Sequence, residues 1–104
     1  MVDAYQDAVL KRAVDVFGAE LQAVIFMEEM AELTQELSKF IRGEDNKDAI
    51  IEEAADVVLM AAQLPFVLSV DAKDFFDELQ QVVVYKAERL AKRIKQLERE
   101  ASEE

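Results

Sequence analysis

Two segments of this 104-residue chain set acids among apolar neighbours. The first is Met27-Glu28-Glu29-Met30-Ala31-Glu32-Leu33. The second is Ile51-Glu52-Glu53-Ala54-Ala55-Asp56-Val57-Val58-Leu59-Met60. At about 100° per helical residue, Glu32 falls about 60° to one side of Glu29, Glu36 about 20° to the same side and Lys39 about 80°. Gln22 falls about 20° to the other side, so these polar residues make one narrow stripe about four turns long. Glu53 and Asp56 repeat the i, i+3 pair on the second segment.

Burying an unpaired carboxylate costs several kcal/mol, and facing carboxylates raise one another's pKa. A divalent cation resolves both difficulties: Mg²⁺ takes carboxylate oxygens and keeps several waters, and Mn²⁺ is a possible substitute. The plain alternative is that each acid is solvated or paired with Lys. That alternative is weakest for Asp56, because Asp is a poor mid-helix residue and its flanks are Ala, Val, Leu and Met.

Composition narrows the chemistry to this kind. The chain has no His and no Cys, so it lacks nucleophilic triads, zinc fingers, iron–sulfur ligation and disulfides. A di-iron or di-manganese bundle would want Glu-x-x-His on two helices, and no His is present. The net charge of −11 argues against a nucleic-acid duplex as partner. The N-terminal residues carry no apolar signal core, and the apolar run from Val57 to Leu68 contains Gln63 and Pro65 and is too short to span a bilayer. A cytoplasmic protein with no membrane partner is expected.

Two Gly, one Pro and abundant Ala, Leu, Glu and Lys predict a single all-α domain over residues 1–104. Four long helices are expected. The first runs from Ala4 to Phe17, with Asp3 and Gln6 as a capping box and Gly18 as its end. The second runs from Ala19 to Arg42 with Gly43 as C-cap, and the third starts near Lys47 behind Asp45 or Asn46. The third reaches about Leu64, or Leu68 with a kink at Pro65. The fourth starts behind Asp71 and reaches about Glu100, with 98–104 as a frayed acidic tail. The second and third helices are apolar nearly all round, which predicts a homodimer or homotetramer whose interface extends the core.

The acids, their spacing and their context resemble the MazG-like all-α nucleoside triphosphate pyrophosphohydrolases. Glu28-Glu29-Met30-Ala31-Glu32, 20 residues (33 to 52) and then Glu53-Ala54-Ala55-Asp56 match that family's EExxE…ExxD signature. Phe17-Gly18-x-x-x-Gln22 precedes the acids, Ser38-Lys39-Phe40-Ile41-Arg42-Gly43 follows them, and Tyr85-Lys86-Ala87-Glu88-Arg89-Leu90 resembles the C-terminal helix of short, phage-type members. Leu90 stands where longer members carry Asn. The resemblance covers about Ala13 to Arg93. It implies a bundle of four or so helices that self-associates, and Mg²⁺-dependent hydrolysis of a nucleoside triphosphate (NTP or dNTP) between its α- and β-phosphates. The products would be a monophosphate and pyrophosphate. It also implies that Glu29, Glu32, Glu53 and Asp56 are the metal ligands.

Other roles are assigned on residue type and position. Phosphoryl chemistry rests on positioning and charge stabilisation, so His and Cys are dispensable. Glu28 is a candidate to accept a proton from water, or else pairs at a subunit interface. Lys86 and Arg89, spaced i, i+3, are the candidate phosphate contacts, with a solvated helix face as the alternative. Lys39 is a further candidate, or pairs with Glu36. Gln22, Phe17 and Met60 could face the base, though plain core packing is the favoured account of Phe17 and Met60. Two other classes remain open: a non-catalytic helical interaction or oligomerisation module built on the last helix, and a regulatory nucleotide-binding protein.

Overall fold

In a computed structural model the described residues, 2–103, are helical with short connections and no strand among them. The elements are α1 (Ala4–Phe17), α2 (Ala19–Ile41), α3 (Lys47–Ala62), α4 (Leu64–Leu68) and α5 (Ala72–Ser102). They fall into two compact units, α1 to α4 and α5.

Local chemistry explains the boundaries. Asp3 accepts from the Gln6 backbone N–H at 2.8 Å, and the Gln6 side chain accepts from the Asp3 N–H at 2.9 Å, so the capping box forms in full. Gly18 separates α1 from α2 with φ 92 and ψ 148, a backbone shape that side chains with a Cβ rarely adopt. Its N–H still reaches Val14 O at 2.8 Å and its carbonyl accepts from Gln22 N at 3.1 Å, so one residue ends one helix and starts the next. Gly43, at φ 96, follows the end of α2.

The third helix ends earlier than expected. α3 stops at Ala62, and Leu64–Leu68 forms a separate short helix rather than a kinked continuation. Pro65 lacks the N–H that would bond Ala61 O, and its ring crowds that same carbonyl, so the break falls before the proline. α4 ends at Ser69, which sits in the left-handed region at φ 57 and ψ 45. Asn46 stands at the N-cap of α3, but its side chain does not cap the helix. It crosses to α2 instead, where Nδ2 donates to the Glu36 carbonyl at 2.8 Å and to Glu36 Oε2 at 3.2 Å.

Within the first unit, α2 packs most extensively on α3, while α1 and α4 close one end. Leu10, Ala62, Gln22, Gln63 and Pro65 are its buried residues. Two of them are amides. Gln22 Nε2 donates to Gln63 Oε1 at 3.1 Å, and Gln63 Nε2 donates to Leu10 O at 3.0 Å, which satisfies polar groups that burial would otherwise penalise. The apolar faces of α2 and α3 keep much of their surface open in the single chain, as at Met27, Leu37, Ile51 and Leu59.

α5 begins behind Asp71, whose side chain accepts from Asp74 N at 3.0 Å. It runs 31 residues to Ser102. The segment 98–104 therefore continues the helix through Ser102 instead of fraying at Glu98, helped by Gln96 Nε2 donating to Glu100 Oε1 at 3.2 Å. Glu104 lies outside the described residues. No helix among the described residues is long and apolar enough to cross a membrane.

Candidate functional site

The packing of α2 on α3 turns the two acid pairs toward each other. Glu29 from α2 and Glu53 and Asp56 from α3 each offer a carboxylate oxygen, and these oxygens lie within 4.8 Å of one another. All three residues are half-buried. The acids come from the two helices that pack most extensively on each other, and that packing shields the carboxylates in part.

The electrostatics are unfavourable as they stand. Glu29 is pushed up to about 7 from 4.5, first by burial, then by the charges of Glu32 and Asp56, by a hydrogen bond to Asp56 and by the charge of Glu53. Glu53 is raised as well, first by burial and then by a hydrogen bond to Glu32 and the charges of Glu32, Asp56 and Glu52. Glu29 Oε2 and Glu53 Oε2 are shielded from solvent and have no hydrogen-bond partner. Two orphaned carboxylate oxygens in one cluster of acids fit a bound hard cation, which would supply the missing partner for both.

Of the four acids expected as ligands, Glu29, Glu53 and Asp56 gather. Glu32 is exposed and adjoins Glu53 from the next turn of α2. Glu28 is exposed. Lys39 Nζ lies 3.3 Å from Glu36 Oε1, and that same Glu36 receives Asn46, so the lysine, the acid and the loop before α3 form one knot. Gln22 is occupied by its bond to Gln63 and is only 6% exposed. Phe17 is 59% exposed beside Gly18, so core packing does not account for it in the single chain, and Met60 is half-buried.

On α5, Lys86, Arg89 and Arg93 share one shallow groove with Leu90. Lys86 and Arg89 make no ion pair among the described residues. Gln63 and Asn46 were not among the expected functional residues. Neither carries a local signal, because each earns its role from a partner at least ten residues away. Compared with protein-family models, with curated proteins and with solved structures, the chain matches none.

Proposed function

We propose that this chain is a Mg²⁺-dependent nucleoside triphosphate pyrophosphohydrolase of the MazG-like kind, cleaving NTP or dNTP to a monophosphate and pyrophosphate. The observation that carries this reading is the pair of shielded, unpartnered oxygens, Glu29 Oε2 and Glu53 Oε2, in a cluster completed by Asp56. These three carboxylates would hold the cation, with Glu32 beside Glu53 as the fourth ligand. Bound there, Mg²⁺ would neutralise charge developing on the phosphates and lower the pKa of a coordinated water. Glu28 is the proposed acceptor of that water's proton at its side-chain carboxylate. Lys86 and Arg89 are the proposed cations for the phosphate chain. Lys39, Gln22, Phe17 and Met60 rank behind them, since Lys39 and Gln22 already have partners.

The same reading takes the protein as a cytoplasmic homo-oligomer. The number of large apolar side chains left open on α2 and α3 supports self-association, since covering them in a second copy would remove them from water.

The test is pyrophosphate release from a panel of NTPs and dNTPs with Mg²⁺. Turnover that falls at least 100-fold in both Glu53→Gln and Asp56→Asn is the expected result. No turnover with any nucleotide, or turnover unchanged in both variants, overturns the enzyme reading. Metal-dependent nucleotide binding without hydrolysis would leave a regulatory binding protein, and indifference to metal an interaction module.

A further inference from the structure

The longest helix among the described residues leaves most of its side chains exposed, with only Ala72, Phe75 and Phe76 half-buried near its start. α5 spans 31 residues, and none of them is buried. A helix gains most of its stability from packing an apolar stripe, and the stripe on α5 has a particular spacing. Phe76, Val83, Leu90 and Leu97 recur every seven residues. Ala87, Ile94 and Ala101 also recur every seven, each four residues after a member of the first set. Alternating steps of four and three average 3.5, the repeat of a two-stranded supercoil rather than of a helix lying on a globular core. Leu90 and Leu97 at one core position with Ile94 at the other is the combination that favours two parallel strands. Leu90 is 61% exposed.

The geometry points to α5 pairing, parallel and in register, with α5 of a second copy of this chain along Val83–Ala101. The flanking residues specify the partner. In that arrangement Arg93 faces Glu98 of the partner subunit, twice by symmetry. An antiparallel pairing that layers Leu90 on Ala87 of the partner subunit would instead set Lys86 against Arg93 of the partner subunit, a like-charge contact. The charge balance also suits self-pairing. α5 holds seven of the chain's 12 Lys and Arg, so two copies of this helix escape the repulsion that the net −11 imposes elsewhere. This pairing is independent of the acid cluster on α2 and α3.

The absence of cysteine makes the test direct. Single cysteines are placed in the full chain as Leu90→Cys and Leu97→Cys in the seam and Lys92→Cys on the opposite face. Circular dichroism establishes that each variant keeps its helix. Under mild oxidation, both seam variants are expected to give a species of twice 11.8 kDa on a non-reducing gel, at least about tenfold faster than Lys92→Cys. Seam variants that link no faster than Lys92→Cys overturn the pairing. Linking by only one of the two overturns the parallel register. Sedimentation of the unmodified chain as a monomer at micromolar concentration overturns the proposal outright.

Discussion

Gln22 and Gln63 meet side chain to side chain in the interior, 3.1 Å apart, with Gln63 only 1% exposed. The second arm of Gln63 holds the Leu10 carbonyl, so a single amide ties α1, α2 and the α3–α4 junction together. Gln63→Leu keeps the bulk but orphans a buried donor on Gln22 and removes the second partner of the Leu10 carbonyl. It is expected to cost about 2–4 kcal/mol. Urea unfolding checks this as a lower midpoint at unchanged slope.

The acid cluster predicts a trade between stability and binding. Without metal, Asp56 repels Glu29 and Glu53, so Asp56→Asn is expected to raise the Tm of the metal-free protein. The same change should erase the upward Tm shift that Mg²⁺ or Mn²⁺ gives the unmodified protein. Thermal scans with chelator and with each metal separate the two effects.

The raised pKa of Glu29 sets the pH dependence of the metal-free protein. An acid that holds its proton more tightly when folded contributes stability that is full below the unfolded value of 4.5. That contribution is lost as pH rises through about 7. Stability in chelator should therefore decline over that window, and Glu29→Gln should flatten the decline. Saturating Mg²⁺ should reverse it, because the cation needs the deprotonated carboxylates. Urea midpoints at a series of pH values, with and without metal, provide the measurement.

Gly18 has open space where a Cβ would sit, yet its φ of 92 is one that side chains avoid. Gly18→Ala should thus destabilise through the backbone alone, by about 1–2 kcal/mol. Ser69 is the mirror case. It already occupies φ 57, so Ser69→Gly should be neutral or stabilising, by up to about 1 kcal/mol. Chemical denaturation of the two variants side by side should show a loss for Gly18→Ala and none for Ser69→Gly.

What could be read from the chain was local. The capping box at Asp3 and Gln6, the break at Gly18, the start of α5 behind Asp71 and the placing of each acid pair on one face of its own helix all follow from spacings of three or four residues or from one residue's backbone freedom. The features that escaped depend on distant partners. Asn46 looked like a cap, and the position is right, but its amide found a better acceptor in Glu36 across the loop. Gln63 looked like an interruption in an apolar run and is instead the most deeply buried polar side chain among the described residues. Glu32 and Glu29 share a helix face, and only the approach of α3 decides that Glu29 lies within and Glu32 at the rim.

The bond from Gln63 to Leu10 spans 53 positions of the chain, far beyond the helix and turn contacts that make up most of this protein. Such a link closes a long loop and is expected to form after the helices have paired, late on the folding route. Removing it should leave the folding rate almost untouched and speed unfolding. The amide would then act less as a guide for folding than as a latch that lengthens the lifetime of the folded chain.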